Sequence, residues 1–353
     1  MDSDPEYAMQ LVSASLVPMV LKAAIELGVF DIIHRAGPGA LLSPSEIESQ
    51  LPSHNNPNAP LVLDRMLRLL SAHSIITCSI STHQVDHVEV LRLYGLAPVA
   101  KYFIRDQDGA SLATLLSFCH DKVNTDSWYH LTDAVLEGGL PFSRAYGMNV
   151  VEYNAKDARY GETFKNSMKE FNPVFMKEIL EKYKGFEGLS TLVDAGGADG
   201  TILSMIVSKY PTIKGINYDL ASVIEKAPSY PGIEHIRGDM FVRIPKGDAI
   251  FMKWILHHYD DKECLTILKN CYEALPDHGK VIVVDMVIPE APETSVSAKS
   301  LFQFDMFMMN MNTTGKERTE KELGSLARQA GFYNIPVACS AFNFSVVELF
   351  KNM

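Results

Sequence analysis

The sequence predicts an α/β fold in its second half, a doubly wound and mainly parallel sheet, preceded by a mainly helical winged-helix region. Three observations predict it. From residue 191 onward, short β-rich runs alternate with helical ones, the pattern of a parallel sheet wrapped by helices. Before residue 110, three helical segments lead into two β-rich runs, the order of a winged helix. Between these parts, residues 110–185 read as helical almost throughout. The expected division is 1–110, 111–185 and 186–353.

Residues 6–28, "EYAMQLVSASLVPMVLKAAIELG", place apolar side chains nearly all around one helix, which predicts burial on more than one side. "SPSEIESQL" offers Ser43 as N-cap, Pro44 at the first helical position and Glu46 three residues after the cap. A third helix is expected over 60–73. "SIITCSI" and "VEVLRLYGL" then read as a hairpin joined by the loose polar stretch "STHQVDH". Further on, "SWYHLTDAVLEGG" and "FNPVFMKEILEKY" are helical, separated by the turn "GGLPF". The strands of the second half are "TLVDAGG", "KGINYDL", "IEHIRGDM", "DAIFMKW" and "KVIVVDMVI". Helices are expected over 202–210, near 222–226 and over 262–274.

Charge and composition narrow the function. With 32 Lys and Arg against 43 Asp and Glu, the formal charge is -11, and no basic cluster stands out. A winged helix that reads DNA needs a basic recognition helix, and here Arg65 and Arg68 stand beside Asp64 among leucines. Packing or dimerisation is the favoured role for that region, with small molecules or other proteins as partners. The five cysteines, Cys78, Cys119, Cys264, Cys271 and Cys339, show neither a C-x-x-C pair nor a metal-ligand spacing, so reduced thiols and no metal are expected. No apolar run approaches the ~18 residues of a membrane span, and the acidic start "MDSDPEYAMQ" lacks a signal pattern, so a cytoplasmic, membrane-free protein is expected.

The chemistry centres on "DAGGADG", Asp194 to Gly200, at the first strand-to-helix turn of the sheet. Such a turn presents backbone amides to a nucleotide-like ligand at the carboxyl ends of the strands. It matches neither G-x-G-x-x-G nor a Walker loop. Asp219 ends the next strand, 23 positions after Gly196, where a carboxylate would accept from the hydroxyls of a ribose diol. Asp239 and Met240 end the following strand, a carboxylate and a thioether suited to adenine. An exposed loop acid is the plain alternative for each alone.

"LVDAGGADG", "KYPTIKGINYDL", "GDMFVRIPKGDAIFMKWILHHYDD", "LKNCYEALPDHGKVIVV" and "GKERTEKE" resemble the plant caffeic-acid-type O-methyltransferases, which use S-adenosylmethionine. The likeness covers nearly the whole chain, including "AMQLVSASLVPMVLKAAIELGVF", "LYGLAPVAKYF" and "AFNFSVVELF". It implies an N-terminal dimerisation region and a homodimer, a Rossmann-like cofactor domain, and a phenolic small-molecule substrate. By matching motifs, the resemblance puts S-adenosylmethionine, or S-adenosylhomocysteine as product, against Gly196, Asp219, Asp239, Met240 and Lys253. His257 falls on the family's catalytic histidine. A phenol with a pKa of about 10 must lose its proton as the methyl is attacked, and imidazole titrates near neutrality. Glu317 matches one flanking acid. Asp285 matches the other, where the family commonly carries Glu. Asp305 is a further acid nearby by pattern, structural or functional.

The resemblance also implies a substrate cavity shaped by Phe118, Cys119, Phe164, Met168, Phe171, Phe175, Met308, Met309, Met311 and Asn312, although such stripes equally suit a core. Cys119 and Phe171 stand where relatives often have Asn and His, which implies a bulkier and less polar acceptor than caffeic acid, of coumarin, flavonoid or prenylated-phenol type. His258 stands where the family usually has Asp. Family members carry "DVGGGTG" where this chain has Ala198 and Asp199, and Arg237, Ala221, Ser222 and "NTTGKERT" depart as well. Two readings therefore stand. One is methyl transfer from S-adenosylmethionine to a phenolic hydroxyl, or to an aryl amine. The other is a cofactor-free cyclisation of a prenylated phenol or coumarin, or its epoxide, by His257 acid–base catalysis.

Overall fold

The computed structural model describes residues 4–53, 55–85, 87–312 and 314–352. The chain divides into two compact units, one of residues 1–125 and 157–174, the other of residues 126–156 and 175–353. The division falls within the helix Ala158–Lys182, just past Pro173, which removes a backbone donor from the helix interior. The segment 111–185 is thus shared between the units.

In the first unit, the helices Leu16–Glu26, Val29–Arg35, Pro44–Glu48 and Ala59–Ala72 precede the antiparallel pair β1 (Ile76–Val85) and β2 (His87–Leu96). Leu21, Phe30, Ile33, Ile47, Leu63, Leu67 and Leu70 form their core. Ser43 caps its helix in a full capping box with Glu46, as its sequence predicts. Two features differ from expectation. The polar stretch after Ile80 is mostly strand rather than loose loop, with Asp86 outside the described residues. The single N-terminal helix is two, Asp4–Val12 and Leu16–Glu26, bent by 51°. The Ser13 hydroxyl bonds back to the carbonyls of Met9 and Gln10 there, offering the chain an alternative to helix continuation. The first of the two buries no residue within the chain.

The second unit holds the predicted sheet. β3 (Thr191–Ala195), β4 (Lys214–Asp219), β5 (Ile233–Arg237), β6 (Ala249–Lys253) and β7 (Lys280–Ile288) fall on the five expected runs. The two-residue β8 (Arg318–Thr319) extends beside β7, and β9 (Val337–Ala341) and β10 (Phe344–Phe350) close the edge antiparallel. The order is β5-β4-β3-β6-β7-β10-β9, with β3 through β7 parallel to one another. Chain direction through the sheet reverses between β3 and β6, so the loops after these two strands open on one crevice, where ligands of such sheets bind. Val193, Ile250, Val283 and Val347 are fully buried at the sheet centre. The helices Thr201–Lys209, Ala221–Ile224 and Asp261–Ala274 match the expected ones within two residues at each end.

Among the described residues, no single helix is long and apolar enough to cross a membrane, although the bent N-terminal pair passes that test jointly. No group of His, Cys, Asp and Glu among them suits a metal ion, and all five cysteines are free thiols.

Candidate active site

The glycine loop after β3 has the shape its sequence demands of a close-approach turn. Gly196 is at φ 79°, and a Cβ there would stand 2.4 Å from Ile255 Cδ1. At Gly197 a Cβ would fall 2.1 Å from Asn217 Oδ1 and 2.6 Å from Asp194 Cγ, so no other residue fits without displacing buried groups. Ala198, the first departure from the family glycines, also adopts a positive φ of 51°. Two residues of β4 hold it there: Asp219 Oδ2 accepts from its N–H at 2.9 Å, and Asn217 Nδ2 donates to its carbonyl at 2.9 Å. Asp199 points at its own helix, accepting from Thr201 N at 3.0 Å. Its charge thus lies against the N-terminal end of Thr201–Lys209, where a negative charge is favourable.

Asp219 also accepts from Leu220 N at 2.7 Å. Asp239 is exposed beyond β5 and accepts from Phe241 N at 2.8 Å. Met240 packs on the core of the sheet, its carbonyl taking Asn270 Nδ2. Lys253 ends β6, and its ammonium lies 5.7 Å from the Phe175 ring centre and 5.2 Å from that of Trp254. Burial pulls its pKa down to about 8 against the opposing pull of Asp194 and Asp285. Burial likewise pushes Asp194 up to about 7, which Lys253 partly offsets. The five residues expected around the cofactor therefore gather at the carboxyl ends of β3, β4, β5 and β6.

Past β6, the chain makes a 3₁₀ turn, Leu256–His258, before Asp260 caps the helix Asp261–Ala274 in a capping box with Glu263. His257, 4% exposed, bonds through Nδ1 to Glu317 Oε1 at 2.9 Å, and Nε2 has no hydrogen-bond partner among the described residues. Burial, then the charges of Lys253 and Arg318, hold the imidazole pKa down at about 3. The ring is neutral near pH 7, and Nε2 is open as a base in the form in which Glu317 is ionised and accepts from Nδ1–H. Burial, then Asp305, raises Glu317 to about 8. Asp305 Oδ1 accepts from Glu317 N at 2.9 Å, so this acid holds the backbone that carries Glu317. Asp285 is buried, its Oδ1 without a hydrogen-bond partner among the described residues, and burial together with Glu317 keeps its carboxyl well above the usual range.

Other expected residues divide by unit. Phe118, Cys119, Phe164, Met168 and Phe171 lie in the first. Phe118 is buried, its ring 5.5 Å from Tyr160 and 5.3 Å from Phe164, and Phe171 is buried too, so both form core there. Phe164 is exposed, and Cys119 and Met168 are half-buried. Met308, Met309, Met311 and Asn312 lie in the second unit. Phe175 is core there as well, stacked on Phe344 at 4.1 Å. Asn312 braces the histidine turn, donating to the His258 carbonyl at 2.9 Å. Thr313 of "NTTGKERT" lies outside the described residues.

Two residues within the quoted motifs escaped sequence reasoning. Trp254 takes a positive φ of 56° and stacks on the His257 ring, 5.3 Å between centres and 11° between planes. A bulky residue in that backbone region marks a site held under strain. Arg318, beside Glu317, sends its guanidinium to the Leu256 and Tyr259 carbonyls at 2.7 Å each. A tryptophan next to a histidine pair, and an arginine next to an acid, were the only signals available.

Residues 128–333 match the family described as the O-methyltransferase domain, and residues 9–106 the O-methyltransferase dimerisation domain. Caffeic acid 3-O-methyltransferase of Medicago sativa is 55% identical over 98% of this chain and 94% of its own length. O-methyltransferase 13 of Lophophora williamsii is 56% identical over 99% and 96%. The fold is that of human N-acetylserotonin methyltransferase, solved with S-adenosylmethionine, at a TM-score of 0.78, 18% identity and coverage of 100% and 99%. It is equally that of CalO1, solved with S-adenosylhomocysteine, at 0.79, 23% identity and 99% of both chains. Matched in both domains and more than half identical to named relatives over nearly all its length, the chain belongs to the S-adenosylmethionine-dependent O-methyltransferase family.

Proposed function

We propose that the protein transfers a methyl group from S-adenosylmethionine to a phenolic hydroxyl of a plant specialised metabolite of phenylpropanoid, coumarin or flavonoid type, with His257 as general base. The observation that carries this reading is the buried His257–Glu317 hydrogen bond with Nε2 left open. The glycine loop, a cradle that a Cβ at Gly196 or Gly197 would fill, and the acids ending successive strands suit the cofactor. Gly196, Asp219, Asp239, Met240 and Lys253 would hold it. When bound, it supplies an electrophilic sulfonium methyl. His257 Nε2 takes the phenolic proton, and Glu317 receives the hydrogen bond of the resulting imidazolium, whose charge would otherwise be costly in this buried setting. The matched dimerisation domain and the exposed N-terminal helix support a homodimer. An aryl amine in place of the hydroxyl would use the same base.

A second reading, cyclisation of a prenylated phenol or its epoxide without methyl transfer, is favoured by one observation: Ala198 sits at positive φ in the loop where the family has glycine. Calorimetric titration with S-adenosylmethionine and S-adenosylhomocysteine separates the two. Saturable heat and methylated product support methyl transfer. No heat at millimolar ligand, with acceptor turnover persisting in its absence, sinks it. Under either reading His257→Ala lowers turnover by about a hundredfold or more, and near-normal activity shows that another group is the base.

A further inference from the structure

Four successive carbonyls carry the histidine turn, and one short segment binds all of them. The Leu256 carbonyl accepts from Arg318 Nη1 at 2.7 Å and that of His257 from Lys316 N at 3.0 Å. The carbonyl of His258 accepts from Asn312 Nδ2 at 2.9 Å and Thr314 Oγ1 at 3.2 Å, and that of Tyr259 from Arg318 Nη2 at 2.7 Å. β6 ends at Lys253, with Trp254 N still donating to the Val284 carbonyl at 3.0 Å, and the next helix begins at Asp261, so the turn between them lies beyond the sheet. Arg318 spans both ends of the 3₁₀ turn with charged donors, where the weaker thiol of Cys264 reaches the same two carbonyls at 3.2 and 3.5 Å. Its remaining edge is fixed by Asp261 Oδ1, at 3.1 Å from Nε and 2.8 Å from Nη2.

We propose that Arg318 is a positioning residue for the reaction: its guanidinium, aligned by Asp261, clamps the backbone on both sides of His257 and so fixes where Nε2 stands. This rests on the reading of His257 as the base. The guanidinium is 5% exposed, and a buried cation is retained at such a site only when its donors are satisfied. Its planar fork reaches two carbonyls and a carboxylate at once, which the single ammonium of lysine cannot do. Glu317, one residue earlier, fixes the imidazole ring itself, so adjacent residues hold the side chain and the backbone of one histidine. Lys253, His258 and Glu317 are the other charged or titratable groups that bear on this ring, and Asp285 lines the same small cavity.

The test uses the full-length protein with Arg318→Lys, Arg318→Gln and Asp261→Asn. Each variant is assayed for kcat and KM with S-adenosylmethionine and a phenolic acceptor, and for the ¹⁵N resonances of the His257 ring. Arg318→Lys keeps the charge and loses the fork, and kcat falls about tenfold to a hundredfold with acceptor KM little changed. Arg318→Gln falls at least as far. Asp261→Asn falls less, and all three shift the His257 resonances. Wild-type kcat and unshifted resonances in Arg318→Lys overturn the proposal. If Arg318→Lys gives no cooperative melt, Asp261→Asn decides by the same two readouts. Activity retained in His257→Ala refutes the base assignment instead, while the resonances still read the clamp without turnover.

Discussion

Ala198 carries a side chain at φ 51°, where an L-residue crowds its own carbonyl, and it is kept there by Asp219 on one side and Asn217 on the other. Returning it to the family residue removes that strain: Ala198→Gly is expected to stabilise the protein by about 1 kcal/mol, read as a higher melting temperature. Tighter S-adenosylmethionine binding in the same variant, measured by calorimetry, would show that the methyl also hinders the cofactor. A second residue-scale expectation concerns pH. When Glu317 is protonated it donates to Nδ1 and moves the imidazole proton to Nε2, the wrong tautomer for a base. Ionised, it accepts from Nδ1–H and leaves Nε2 open. Since Glu317 titrates at about 8 and His257 at about 3, kcat should rise with pH through about 8, with no limb from histidine protonation above pH 5. Glu317→Gln should abolish that rise and lower the plateau in a pH–rate profile. The partnership of His257 with Glu317, 60 residues apart, was legible only through the family motifs that contain them. The positive φ of Ala198 and Trp254 was not legible, because a one-dimensional pattern carries no backbone sign.

Two helices start directly behind the two halves of the His257–Glu317 pair. Asp260 caps Asp261–Ala274 three residues after His257, and Thr319 caps Glu320–Ala330 two residues after Glu317, each in a full capping box. Buried faces of both helices, Cys264, Ile267 and Leu268 on one and Leu323, Leu326 and Ala327 on the other, share one core with the sheet. Rigid helices thus anchor the loops that must hold the pair within hydrogen-bonding distance. Replacing Asp260 by Ala should cost about 1 kcal/mol in urea unfolding and should lower kcat more than Thr319→Ala does, because the Asp260 cap borders the turn itself. Elements of this kind were the most legible. Strand-to-helix alternation marked β3 to β7, and the Ser43 box was written in four residues. β9 and β10 were harder, because an antiparallel edge has no helix after it to reveal it.

At the scale of the whole molecule, residues 4–26 carry a run of exposed apolar side chains. Tyr7, Met9, Leu11, Val12 and Leu16 are all more than half exposed, and all but Tyr7 fall in the segment matching the dimerisation domain. A Met9→Glu, Leu16→Glu double variant should sediment at half the mass of the parent protein, because charges at the buried core of an interface oppose association. A parent already sedimenting as a single chain would count against the proposed homodimer. The apolar all-round pattern predicted burial on more than one side, yet within the chain Asp4–Val12 buries no residue and Leu16–Glu26 only Leu21 and Ala24, because a single sequence does not say where the cover comes from. The division of residues 111–185 between two units was also hidden, since helical periodicity is the same whichever core a helix joins.

The stacking of Trp254 on His257 gives the protein an optical probe of its own. The chain has two tryptophans, Trp128 and Trp254. A protonated imidazole quenches an adjacent indole far more than a neutral one does. With Trp128 replaced by Phe, the emission that remains would come from the ring lying parallel to the imidazole. Under the proposed base assignment, rapid-mixing fluorescence would follow the proton arriving on that imidazole during a single turnover, with no label attached.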